Sequence, residues 1–171
     1  DIVPAPGVSE SELLRYAIAI EDLSDHPLAA AVVRDGKTRI PPGEILKAEG
    51  VEAITGKGVR GRVSGAAVWI GKPGLFDGSN GASMPVELKD QATTLEKTGR
   101  TVMIVRKDDA FLGALGLMDT PRAEARDVVA RLKEVGIERM VMLTGDNQSV
   151  GDAIAKEVGL TDAKGGLMPE D

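Results

Sequence analysis

ILKAEGVEAITGKGVRGRVSGAAVWIGKPGLF, residues 45–76, is a run of short apolar stretches broken by glycine, and it decides the architecture of the first part of the chain. Val51, Ile54, Val59, Val63, Val68 and Ile70 are β-branched, a shape that loses rotamer freedom in a helix and packs well on a pleated surface. Punctuated by glycine, they predict strands, with a hairpin turn at 64–66. Toward the C-terminus, residues 74–83 read as a polar, glycine-rich loop. Pro85 then opens a helix carrying Leu88, Ala92 and Leu95, which Gly99 closes. Residues 101–106 and 111–118 are two further strands around a turn at 107–110.

Toward the N-terminus, Ser9 and Glu12 have the spacing of a capping box, and Leu13, Leu14, Ala17 and Ile18 share one face of the helix it starts. A second helix begins near Ser24 or Asp25, with Pro27 tolerated in its first turn and Leu28, Ala31 and Val32 on its apolar side. His26 therefore sits at a helix N-terminus. The expectation for residues 1–117 is a mainly antiparallel sheet flanked by helices. From residue 118 the pattern alternates: a helix begun by Thr120 and Pro121, a strand near 140–143, and a helix from about Gln148 to Val158 ended by Gly159. That rhythm belongs to a parallel, doubly wound sheet. The chain is thus expected to be α/β in two parts, 1–117 and 118–171, the second left unfinished at Asp171.

Composition narrows the function. The 171 residues suffice for one domain or a domain and part of another, and with aromatics at 2% the core must be aliphatic. A formal net charge of -6 without a cluster of Lys and Arg gives no footprint for nucleic acid, and the scattered aromatics offer no stacking platform. No cysteine and a single histidine exclude disulfides and a zinc site of the nitrogen and sulfur type, so no metal ligands are expected. No apolar run approaches the roughly 20 residues that cross a bilayer, so the chain as given is expected to be soluble, without direct membrane contact.

Three stretches carry chemistry. In Ser24-Asp25-His26-Pro27, preceded by Glu21, an imidazole beside carboxylates can present a flat face and a nitrogen to a heteroaromatic ring such as adenine. Glu21 can accept a hydrogen bond from a purine amino group, because an ionised carboxylate only accepts. The plainer alternatives are a capping or packing histidine and a solvated helix end. In Gly56-Lys57-Gly58 the glycines let backbone approach a ligand with no Cβ in the way while Lys57 supplies charge, although a hairpin turn accounts for them equally. Thr144-Gly145-Asp146-Asn147 follows a strand and opens a helix, where ligands bind in open parallel sheets; a turn with Asp146 or Asn147 as cap is the alternative. Arg122, at the junction of the two parts, suits bidentate phosphate binding or an exposed position behind a helix cap.

Taken in order, Glu21 with Ser24-Asp25-His26-Pro27, then Gly56-Lys57-Gly58, Asp119-Thr120-Pro121-Arg122, Thr144-Gly145-Asp146-Asn147 and Met168-Pro169-Glu170-Asp171 resemble the metal-transporting branch of the P-type ATPases. The match covers nearly the whole chain. The resemblance implies that 1–117 is the nucleotide-binding domain and 118–171 part of a haloacid-dehalogenase-like phosphorylation domain. It implies an adenine pocket of Glu21, His26, Gly56 and Gly58. It puts Asp119, Arg122, Thr144, Gly145 and Asp146 near the transferred phosphate or the hinge between domains. ATP and Mg²⁺ are the implied cofactors, and the implied partners are the transmembrane, actuator and remaining phosphorylation parts of the same pump. The implied location is the cytoplasmic side of a membrane, in bacteria the plasma membrane. The wording of the histidine and Asp119 motifs leans toward zinc, cadmium and lead exporters over copper exporters.

The aspartate that such pumps phosphorylate, with its Lys-Thr-Gly-Thr neighbours, would precede this chain, and Asp1 lacks that context. The lysine that follows Pro-Glu-Asp and a later Gly-Asp-Gly-x-x-Asn-Asp segment are also missing. The expectation is a chain that holds ATP weakly, on the order of millimolar to tens of micromolar, without turnover. Two rivals stay open. A phosphatase of the haloacid dehalogenase type is disfavoured because no strand ends in Asp-x-Asp or Asp-x-Thr. A non-enzymatic regulatory or scaffolding domain would make the glycine turns and His26 structural.

Overall fold

The structure is a computed structural model that describes residues 1–25, 27–79, 81–118 and 123–167. It divides into two compact units, Asp1–Ala92 with Val102–Leu117, and Thr93–Thr101 with Met118–Asp171.

The first unit contains β1 (Ile2–Pro4), α1 (Glu10–Glu21), α2 (Pro27–Lys37), β2 (Ala48–Ile54), β3 (Gly58–Val63), β4 (Ala66–Gly71), β5 (Thr101–Lys107) and β6 (Ala110–Leu117); the boundary between units runs through α3 (Val86–Lys97) and the start of β5. One six-stranded sheet results, in the order β1-β6-β5-β4-β3-β2, with antiparallel pairing from β2 through β5 and between β1 and β6. The mainly antiparallel sheet flanked by helices is therefore present as read from the sequence.

Local chemistry fixes the first helix. The Ser9 hydroxyl oxygen accepts the Glu12 N–H at 3.1 Å and so caps an otherwise unsatisfied donor. Leu13, Leu14, Ala17, Ile18 and Ile20 are then buried together with Val59, Val63, Val68, Ile70, Met103 and Val105 of the sheet. Because side chains alternate along a strand, Val102 and Ile104, also buried, point to the other face of β5. The C-terminal end of α1 lies close to β3: a Cβ at Gly61 would come within 2.9 Å of Ile20 Cδ1 and Val51 Cγ2, so a larger residue there would push those side chains aside.

Two features of this unit escape the sequence pattern. β1 is three residues long, too short for periodicity, and Pro4 is tolerated because the strand lies at the sheet edge. The stretch read as a polar loop, residues 74–83, begins inside a 3-10 turn, Pro73–Phe76, that buries Leu75 and Phe76. Two apolar residues among Gly and Ser are too few to announce an element, yet both are buried.

The second unit holds α4 (Ala123–Glu134), β7 (Val141–Leu143), α5 (Gln148–Val158) and β8 (Asp162–Lys164), with β7 and β8 parallel. Asn147 caps α5 by accepting the Val150 N–H at 3.0 Å, and Gly159, at φ 84°, ends it in the left-handed conformation that favours glycine. The start of α4 near Thr120 and Pro121 lies outside the described residues. β8 has a single buried apolar residue, Ala163, and no alternation to reveal it in sequence.

Leu13 is fully buried under α1, so Leu13→Ala should cost about 2–5 kcal/mol in urea unfolding followed by Trp69 fluorescence. Val128→Ala, at a side chain that is 52% exposed, should stay within about 0.5 kcal/mol.

Candidate functional site

Glu21 is the last residue of α1 and, at 2% exposure, is sealed from solvent. The sequence alternative of a solvated helix end is therefore excluded. Neither carboxyl oxygen has a hydrogen-bond partner of ordinary geometry among the described residues. Burial pushes its pKa above the ordinary 4.5, and the nearby Ser24 side chain opposes this without reversing it. The helix adds a further penalty, since the C-terminal end of a helix carries partial negative charge and disfavours an anion. The backbone turns immediately afterwards, with Ser24 N–H donating to Glu21 C=O at 3.1 Å, and leads toward α2. His26 lies outside the described residues.

Gly56 sits at φ 68° in the turn joining β2 to β3, where Lys57 N–H donates to Ile54 C=O at 2.9 Å. A Cβ there would meet nothing within 4 Å, so the space beside this turn is open. Gly58 is different. It pairs with Gly71 of β4, and a Cβ on it would overlap the Ile70 carbonyl and lie 2.6 Å from Gly71 Cα. The sheet itself demands glycine at 58, whatever else binds nearby. Lys72, which sequence reasoning passed over, ties the turn down by donating its N–H to Lys57 C=O at 2.9 Å. Its place one residue beyond the Gly58–Gly71 pair was the available signal.

Glu21 and the turn are related through β3. Ile20, beside Glu21, rests on Gly61, and Gly58 is three positions along the same strand, about 10 Å away.

In the second unit, Thr144, Gly145 and Asp146 follow β7 directly. Asp146 N–H donates to Thr144 Oγ1 at 3.1 Å, and that hydroxyl donates to Asp146 Oδ2 at 3.3 Å. Thr144 N–H reaches Lys164 C=O at 3.0 Å, and Leu167 N–H returns to Thr144 C=O at 3.1 Å, so the carboxyl ends of both parallel strands are laced together. Asn147, not Asp146, is the helix cap, which leaves Asp146 without that duty. Asp119 and Arg122 lie outside the described residues, as do residues 168–171. Among the described residues no group of three or more His, Asp or Glu is placed to hold a metal ion.

Against known proteins, the family model for haloacid dehalogenase-like hydrolases matches residues 4–171. The chain is 40% identical over 170 residues to the zinc/cadmium/lead-transporting P-type ATPase of Shigella sonnei, covering 99% of this chain and 22% of that protein. It is 34% identical over 164 residues to a probable cadmium-transporting ATPase of Staphylococcus aureus, covering 96% and 23% respectively. The crystal structure of a zinc-transporting PIB-type ATPase in the E2.Pi state matches 100% of this chain and 26% of its own, with a TM-score of 0.68 and 39% identity. The chain thus spans about a quarter of the length of the relatives it matches.

Two outcomes follow from the buried groups. Because the Glu21 pKa is raised in the fold, its contribution to stability is fully present below the unfolded value of 4.5 and is lost as pH rises through the folded value. Glu21→Gln should therefore unfold at higher urea than wild type at pH 7, with the difference closing below pH 4.5. Gly58→Ala should destabilise by about 1–3 kcal/mol in the same assay, since the added carbon has backbone in its way.

Proposed function

The chain belongs to the haloacid dehalogenase-like hydrolase family, as one region of a heavy-metal P-type ATPase, and from that premise we propose that residues 1–117 bind the adenine end of ATP through Glu21, His26, Gly56 and Gly58. Residues 118–171 are then part of the phosphorylation domain.

The observation that carries this reading is the buried carboxyl of Glu21, whose desolvation the Ser24 side chain offsets only in part. A desolvated acceptor at a helix C-terminus gains most from a ligand that brings a donor and no negative charge, and the exocyclic amine of adenine is such a group. Guanine carries a carbonyl oxygen at that ring position and would be repelled. Gly56 contributes open space and Lys57 a cation, while Gly58, committed to its pairing with β4, contributes backbone alone. His26 would supply an aromatic face from the start of α2.

In the second unit, Asp119, Arg122, Thr144, Gly145 and Asp146 are the residues proposed beside the transferred phosphate or the hinge. The loop after β7 lies where ligands gather at the carboxyl ends of parallel strands. Mg²⁺, when bound, neutralises phosphate charge, and such ions take one or two carboxylates with the remaining positions filled by phosphate and water. Asp146 is the carboxylate available for that. Transfer of the γ-phosphate depends on positioning and charge neutralisation, so this chain's part is to hold the nucleotide in register with the acceptor aspartate of the whole pump. The proposed partners are the transmembrane, actuator and remaining phosphorylation parts. The proposed setting is the cytoplasmic side of the membrane, and the cargo a soft divalent ion such as zinc or cadmium.

His26 is the single imidazole of the chain, so its ring signals in NMR need no assignment. ATP, a non-hydrolysable analogue and ADP should shift them, and GTP should require about tenfold more nucleotide. Glu21→Gln should weaken ATP roughly 10- to 100-fold and narrow the preference over GTP, as expected for losing a hydrogen bond to a charged acceptor. A ring that ignores every nucleotide, or answers all of them alike, would instead favour the regulatory or scaffolding reading.

A further inference from the structure

One buried charge takes no part in the proposed adenine pocket. Arg106, on β5, is 3% exposed, and its guanidinium carbon lies 5.0 Å from the centroid of the Trp69 ring and 5.5 Å from that of Phe76. Trp69 is its antiparallel partner on β4, and Phe76 packs edge-on against Phe111 at 5.6 Å. A guanidinium that has given up water gains strongly from nearby aromatic rings, and its planar shape stacks where an ammonium would not; Trp69 also receives Arg60, at 5.5 Å.

The segment clamped this way leads back to the 56–58 turn. Phe76 ends the 3-10 turn Pro73–Phe76, and its carbonyl accepts Met84 N–H at 3.2 Å, closing a compact loop. Arg106 Nη1 reaches Ala82 C=O at 3.4 Å, and a Cβ at Gly81 would come within 2.9 Å of the same nitrogen, so the loop rests on the guanidinium. Next to Phe76, Leu75 Cδ2 lies 2.7 Å from where a Cβ on Gly71 would be, at the strand position paired with Gly58. Lys72 N–H holds Lys57 C=O at 2.9 Å. The carboxyl of Asp77, held below its ordinary pKa first by Ser79, also feels the charge of Lys57.

We infer that Arg106 is a positioning residue: by clamping Phe76 and Trp69 it braces the turn at residues 56–58 from behind, and thereby sets how firmly that turn closes on a nucleotide. The inference rests on the nucleotide reading above for its consequence, but not for the clamp itself.

Arg106→Met keeps length and apolar bulk while removing the charge and the plane; Arg106→Lys keeps the charge alone. In the full chain, the Met variant should speed hydrogen exchange at the Lys57 and Lys72 amides by about tenfold relative to β-sheet amides such as those of Ile70 and Val105. It should also weaken ATP, read from the His26 ring, by about 3- to 10-fold. The Lys variant, which also serves if the Met variant folds poorly, should fall between. Unchanged exchange at Lys57 and Lys72 overturns the clamp, and so does acceleration shared equally by every sheet amide, which signals plain loss of stability. Local acceleration with undiminished ATP affinity overturns the link to nucleotide. If wild type itself does not respond to ATP, the nucleotide reading falls and takes that link with it, while the exchange rates still decide the clamp.

Discussion

A carboxyl group buried at the wrong end of a helix is the constraint around which the first unit is organised. Glu21 meets two penalties together, removal from water and the negative end of α1, and only the nearby Ser24 side chain opposes them. Nothing in the packing of α1 requires an acid there, because Leu13, Leu14, Ala17, Ile18 and Ile20 already seat the helix on the sheet. A group that weakens the fold at such a place is what the proposed contact with adenine would account for. Gly61 leaves room for Ile20, the neighbour of Glu21, beside β3.

The surroundings divide between a position beside open space and positions committed to the sheet. Gly56 borders open space, whereas Gly58 is occupied with the ladder between β3 and β4, so two glycines of one motif answer to different requirements. The Lys72 amide holds Lys57, and the Pro73–Phe76 turn that follows brings Phe76 to Arg106. In the second unit the loop after β7 is fastened in a similar way, by the segment following β8. Similarity to zinc- and cadmium-transporting ATPases extends through both units, over 96–99% of the chain.

Much of this was legible in the amino-acid order because it is written in local rules. The Ser9 cap, the strands around Val59 and Val68, the turn at 64–66 and the helix from Gln148 to Val158 each follow from caps, glycines and periodicity within a few residues. β1 and β8 were not legible, since three-residue strands owe their existence to distant partners, β6 and β7. The same limit applies at the site. Glu21 was recognisable as an acceptor, but its burial depends on the sheet beneath it. Gly58 was counted with Gly56 because a clash with Ile70 across the ladder leaves no trace in sequence. Arg106 was overlooked because it stands in a strand like any alternating polar residue, and its significance comes from rings brought to it by β4 and the Pro73–Phe76 turn.

The most direct test of the central claim is a crystal structure of the chain with a non-hydrolysable ATP analogue. The adenine amine should lie within hydrogen-bonding distance of a Glu21 carboxyl oxygen, with the ring adjoining the turn at residues 56–58. A nucleotide seated elsewhere, with Glu21 still enclosed and untouched, would contradict it.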